Sequence, residues 1–227
     1  RRARAVARAT GITFHVGSQS LQPQAFVQAI RMAAEVAQRA GGIDHLDVGG
    51  GFPARYLGNE PAFETFVEAI VSAVAETGLD CALQCEPGRY LVADGASVFA
   101  RVEMRRGNAL FINDGVYGNL AEMKWVGPQF PVRRWSRGEA PEQGGHAFDL
   151  FGPTCDSIDS MPGPHWLPAD IAEGDWIEVG MMGAYSNSLA TDFNGMGATR
   201  TIHLACNAWY NEPAPANESE RRIAAAA

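Results

Sequence analysis

Two short apolar runs in this chain end in residues with chemical potential: Asp47-Val48-Gly49-Gly50-Gly51-Phe52-Pro53 and Cys85-Glu86-Pro87-Gly88-Arg89-Tyr90. Three consecutive glycines lack the Cβ atoms that hold an anion away from the main chain. Successive N–H groups can therefore approach a phosphate closely and point at it. The Glu-Pro-Gly-Arg turn adds a carboxylate and a guanidinium at a fixed spacing. Together these residue types suit a small phosphorylated cofactor with a charged ring.

Such groups need a scaffold, and the first hundred residues alternate strand and helix. Residues 11–16 read as a short strand ending in His15-Val16-Gly17-Ser18, and residues 1–10 as the last turns of a helix. Residues 25–39 read as a helix with Phe26, Ile30, Ala33 and Ala37 on one face and Gly41-Gly42 as its stop. Residues 43–48 form the next expected strand. A second helix is expected over about 61–77, with Phe63, Phe66, Val67, Ile70 and Val74 inward, Pro61 near its first turn and Gly78 beyond its end. Residues 82–85 give a third strand. This order implies parallel pairing with right-handed crossovers. His15, Gly49–Gly51 and Glu86–Arg89 then all follow the carboxyl ends of strands, where ligand sites sit in (β/α) barrels and open α/β sheets.

Beyond residue 95 the pattern changes. Residues 97–104, 109–113, 130–135, 147–151, 176–179 and 201–204 are short apolar runs between Gly-, Pro- and Asp-rich turns, with no helix-length periodicity. This half reads as a mostly antiparallel sandwich or barrel. The expected organisation is α/β in residues 1–95, a β-domain in 96–210 and a disordered tail or artefact in 211–227.

With 18 basic against 26 acidic residues, the net charge of −8 argues against nucleic acid or an anionic membrane surface as partner. No apolar stretch is long enough for a bilayer span, and a cytoplasmic protein is expected. Cys81, Cys85, Cys155 and Cys206 lack zinc-site spacing, so no metal is expected and the thiols read as reduced. Lys124 is the only lysine.

His15-Val16-Gly17-Ser18-Gln19, Leu46 to Pro53, Glu86-Pro87-Gly88-Arg89, Asn113-Asp114-Gly115-Val116-Tyr117-Gly118, Gly152-Pro153-Thr154-Cys155-Asp156-Ser157-Ile158-Asp159 and Gly183-Ala184-Tyr185, with Phe193-Asn194-Gly195 following, occur in that order. In this the chain resembles the fold-type III pyridoxal-phosphate decarboxylases, over roughly residues 5–205, and most of all the ornithine/lysine branch. The resemblance implies the C-terminal part of a (β/α)8 barrel followed by the β-domain. It also implies a homodimer whose active sites lie between the barrel of one subunit and the β-domain of the other.

The same resemblance assigns roles. Pyridoxal 5'-phosphate would be the cofactor, with Glu86 at the ring nitrogen and His15 stacked on the ring face. Ser18, Gly49, Gly50, Gly51, Gly88, Arg89 and Tyr185 would hold the phosphate. Cys155 would return a proton to the substrate carbon after carbon dioxide leaves. Asp156 would receive the distal amino group of a basic amino acid, with ornithine favoured over lysine or a specialised diamino acid. The family's Schiff-base lysine lies upstream of the His-Val-Gly-Ser motif, before Arg1, and Lys124 does not match it. The chain alone is therefore expected to be catalytically incomplete. A further acidic residue for the distal amine aligns with Val126 or a neighbour, and Glu122 is the nearest carboxylate. A non-catalytic regulator and a racemase-like enzyme are the competing classes. The first would lose cofactor residues, and the second would need a catalytic tyrosine in place of Pro-Thr-Cys-Asp.

Overall fold

The computed structural model describes residues 1–56, 58–125, 130–135, 142, 144–197 and 199–203. Val126, Cys206 and the tail 211–227 lie outside the described residues. Two compact units divide the chain, Arg1–Asp94 and Gly95–Ala227.

The first unit is built on three parallel strands, β1 (Gly11–Thr13), β2 (His45–Asp47) and β3 (Ala82–Gln84), in that spatial order. Gly11 pairs with His45 and His45 with Ala82, so equivalent residues stand side by side across the sheet. Helix α1 (Pro23–Ala40) connects β1 to β2, and α2 (Phe63–Thr77) connects β2 to β3. Both helices stop at a glycine in the left-handed region, Gly41 at φ 90° and Gly78 at φ 66°. The expected stripe of α1 is the buried one: Phe26, Ile30 and Ala37 are sealed against Leu46 and Val48 of the β2 region and Phe66 and Ile70 of α2. Val67 points outward.

The strands are shorter than the apolar runs that announced them. Phe14 and Val16 pack on the core beyond the last ladder pair of β1, and Ile43 and Val48 flank β2 in the same way. Cys81 and Cys85 flank β3 and do not lie within it. The amino terminus is not the end of a helix but a single 3-10 turn at Ala3–Ala5.

The second unit is one curled six-stranded sheet, not two stacked layers. Its strands are β4 (Val98–Arg106), β5 (Ala109–Ile112), β6 (Val132–Trp135), β7 (His146–Phe151), β8 (Ser160–Leu167) and β9 (Trp176–Val179), in the order β6-β9-β4-β5-β7-β8. The long β4 pairs β9 through Val98–Arg101 and then turns to pair β5. The edge strands β6 and β8 meet. Only β5 and β7 run parallel. The strand expected at 201–204 is not formed in residues 201–203, and position 204 is outside the described residues. Strand β8 was not expected, because Pro162, Gly163 and Pro164 disguise it.

Among the described residues no helix is long and apolar enough to cross a membrane, and no cluster of three His, Cys, Asp or Glu could hold a metal.

Candidate active site

The three turns after β1, β2 and β3 are bound to one another by main-chain and amide contacts. Gln19 donates from Nε2 to the Ala54 carbonyl (2.7 Å) and accepts the Ala54 N–H (3.0 Å), while the Ser20 N–H donates to the Gly51 carbonyl (2.8 Å). The Asp47 carboxylate accepts the Gly49 N–H, and the Gly49 carbonyl accepts the Glu86 N–H, each at 2.8 Å. Phe52, next after the glycines, is buried and stacks on Phe26 of α1 with centroids 4.8 Å apart. The glycine turn is thus anchored in the apolar core.

Gly49 explains why the motif needs glycine. Its φ is +66°, and a Cβ there would lie 2.0 Å from the Phe14 carbonyl oxygen. Gly49→Ala is expected to destabilise the first unit by about 2–4 kcal/mol through strain and displaced backbone. Urea unfolding of the full-length protein checks this, and an unchanged midpoint contradicts it. At Gly50 a Cβ would meet the Glu86 carbonyl oxygen at 2.7 Å and His15 Cε1 at 3.7 Å. His15, Gly50 and Glu86 are therefore immediate neighbours.

The His15 and Glu86 side chains are exposed, and neither makes a hydrogen bond or ion pair among the described residues. Arg89, on the short helix α3 (Gly88–Val92), is buried. Its Nε and Nη2 donate to Ser18 Oγ at 3.2 and 3.0 Å, and its Nη1 donates to Tyr56 Oη at 2.8 Å. With two guanidinium donors on its oxygen, the Ser18 hydroxyl has its own hydrogen left to offer to an anion. The Gly88 N–H closes the turn on the Glu86 carbonyl at 2.8 Å. Tyr56 is a site neighbour that sequence reasoning missed; the Ala-Arg-Tyr after the glycine motif carries no signal by itself.

The second unit brings together another set. Cys155 is exposed in the loop between β7 and β8. Asp156, beside it, accepts the Ile158 N–H on Oδ1 at 2.9 Å and the Tyr117 hydroxyl on Oδ2 at 2.5 Å. The Ile158 amide first, then the Tyr117 hydroxyl, hold the Asp156 carboxyl below the usual carboxylate range, so it is ionised at neutral pH. The reciprocal bond pushes the Tyr117 phenol up. The Tyr117 ring lies against Phe193, with centroids 4.3 Å apart. Tyr185 is half-exposed in the left-handed region at φ 58°. Lys124, on helix α4 (Ala121–Trp125), donates to the carbonyl and hydroxyl oxygens of Ser160, both at 3.0 Å, and Glu122 on the same helix is buried.

Residues 5–93 match the pyridoxal binding domain of the pyridoxal-dependent decarboxylases, and residues 91–183 match the C-terminal sheet domain of the same family. The chain belongs to the pyridoxal-dependent decarboxylases. It is 34% identical over 217 residues to the decarboxylase flvG of Aspergillus flavus, covering 86% of this chain and 50% of that one. It is 32% identical over 213 residues to the ornithine decarboxylase of Schizosaccharomyces pombe, covering 86% and 48%. The crystal structure of lysine/ornithine decarboxylase complexed with putrescine from Vibrio vulnificus superposes with a TM-score of 0.73 at 30% identity, over 88% of this chain and 56% of that one. The chain spans about half the length of the curated relatives it matches.

The cofactor of this family is pyridoxal phosphate, and the residues present fit it. A glycine turn with no room for Cβ atoms, a Ser18 hydroxyl held by a buried guanidinium, an exposed carboxylate and an exposed imidazole are the groups that a phosphate, a pyridinium nitrogen and a ring face require.

Proposed function

We propose that the full-length protein decarboxylates a basic amino acid, with L-ornithine as the leading substrate and a diamine such as putrescine as product. The observation that carries this reading is the Asp156 carboxylate, ionised by its amide and phenol donors, standing next to the Cys155 thiol. An ionised acceptor recognises a substrate ammonium, and an adjacent thiol is a group that can deliver a proton.

The bound cofactor would supply an electron sink for the bond to the carboxyl group. In this reading His15 would pack on the ring, and Glu86 would favour a protonated ring nitrogen by offering a carboxylate to it. Ser18, Gly49–Gly51, Gly88 and Arg89, with Tyr185, hold the phosphate. Cys155 returns the proton to the carbon that lost carbon dioxide. The active protein would be a homodimer with active sites shared between subunits, as the family resemblance implies, and cytoplasmic, as its reduced thiols suggest. In this reading the Schiff-base lysine comes from outside this chain, as the family resemblance implies, and Lys124 donates to Ser160. Lysine or a specialised diamino acid is the second reading, since Asp156 is the one carboxylate assigned to the distal amine and Glu122 is buried. A non-catalytic regulator fits less well, because Glu86, Arg89, Cys155 and Asp156 are all retained.

The test is release of carbon dioxide and amine by the full-length, cofactor-loaded protein from ornithine, lysine, arginine and diaminopimelate. Highest kcat/KM on ornithine is expected. Preference for diaminopimelate, or turnover of none of the four, contradicts the assignment.

A further inference from the structure

We propose that Asp159 is the positioning residue of the Cys155–Asp156 loop, holding the thiol and the amine-binding carboxylate in a fixed offset through the 114–118 loop; the inference rests on the proposed diamino-acid reading.

The Asp159 carboxylate is 3% exposed and lies between two chain segments. Its Oδ1 accepts the Val116 N–H at 2.9 Å. Its Oδ2 accepts the Thr154 N–H at 3.0 Å and the Thr154 hydroxyl at 2.7 Å. No cation lies within ion-pair distance of it among the described residues. Among the described residues it is therefore held by hydrogen bonds alone. That makes its geometry depend on those donors.

The main chain of Asp159 closes the same loop. Its N–H donates to the Asp156 carbonyl at 3.0 Å, and its carbonyl accepts the Gly152 N–H at 2.9 Å. Gly115 and Gly152 face the carboxylate, and a Cβ at either would stand 2.1 Å from Asp159 Oδ1. There is no slack around it. Val116 is joined in the chain to Tyr117, whose hydroxyl reaches Asp156 at 2.5 Å. Thr154 is joined to Cys155. A closed circuit thus runs from Asp159 through Val116 and Tyr117 to Asp156, and back through the Asp156 carbonyl to Asp159. A second branch runs through Thr154 to Cys155. A merely structural carboxylate would need neither branch to end on a reacting group.

Asp159→Asn keeps the size but turns one acceptor into a donor, which must face either Val116 N–H or Thr154 N–H. The experiment compares, in the full-length cofactor-loaded protein, kcat/KM for ornithine or lysine with kcat/KM for the same chain lacking the distal amine. The expected result for Asp159→Asn is a fall of about tenfold or more in that ratio, the size of losing one charge-assisted contact. Cofactor absorbance should be unchanged. In an Asp156→Ala background the same substitution should leave the ratio where Asp156→Ala alone put it, because both act through one contact. An unchanged ratio in the folded, loaded Asp159→Asn protein overturns the proposal. Should that variant fail to fold, Thr154→Val removes only one hydroxyl bond to Asp159, and an unaltered ratio there overturns it equally. Should the wild type turn over no diamino acid, the functional reading fails, and the alkylation rate of Cys155 decides alone. With Cys81 and Cys85 as internal references, a changed Cys155 rate in Asp159→Asn supports the clamp, and an unchanged one overturns it.

Discussion

Glu86→Gln is expected to lower kcat/KM of the full-length, cofactor-loaded protein by about 10³-fold, in the range for losing a pre-organised charge at the reacting centre. The reason lies in how the residue is held. Its N–H is fixed on the Gly49 carbonyl and its own carbonyl on the Gly88 N–H, each at 2.8 Å, while its carboxylate is exposed and makes no contact within the described chain. Backbone fixed and side chain offered outward is the arrangement of a residue kept for a ligand. Glutamine preserves size and hydrogen bonding but removes the charge that favours a protonated ring nitrogen. Because no hydrogen bond or ion pair among the described residues depends on that carboxylate, stability should change by no more than about 0.5 kcal/mol. Steady-state kinetics with a parallel denaturation curve separates the two quantities. Equal losses of activity and stability would mean that Glu86 supports the turn alone.

Cys155→Ala is the second large effect, with an expected fall in kcat of about 10²–10³-fold, typical for removal of a proton-transferring group. KM for the diamino acid should hardly move, because Asp156 keeps its Ile158 and Tyr117 partners in the variant. Serine should not restore the rate, since a hydroxyl is far less acidic than a thiol. The contrast with Asp156→Ala is diagnostic: that change should raise KM and leave the proton donor in place. If Cys155→Ala instead raises KM with kcat intact, the thiol only shapes the substrate pocket.

The parts of the molecule legible in the sequence are those whose signal is local. Phe26, Ile30, Ala33 and Ala37 recur at helical spacing, and α1 buries that stripe. Gly41 and Gly78 stop their helices because each adopts a backbone conformation that other residues resist. The glycine turn, the Glu-Pro-Gly-Arg turn and the Pro-Thr-Cys-Asp loop stand out in the sequence for the same reason, each being contiguous. Strand β8 does not, since Pro162 and Pro164 contradict strand propensity and only the pairing with β7 overrides it. The five-residue helix at Gly88–Val92 is too short to show a period.

Asp159 was read only as the last letter of a motif. Its partners, Val116 and Thr154, become visible once β5 and β7 lie side by side. Tyr117 lies in the contiguous 113–118 motif, yet its bond to Asp156, 39 residues away, belongs to the fold and not to any spacing.

In the proposed function this chain supplies the phosphate and ring contacts for pyridoxal phosphate while another segment supplies the covalent lysine. Borohydride reduction of the full-length protein loaded with pyridoxal phosphate, followed by peptide mass mapping, tests it most directly. Lys124 is the only lysine in these 227 residues, and its amine is bound to Ser160. A single pyridoxyl group on a lysine outside this chain, lost when Arg89 is replaced, is the expected result. A pyridoxyl group on Lys124, or none on the loaded protein, would contradict the account.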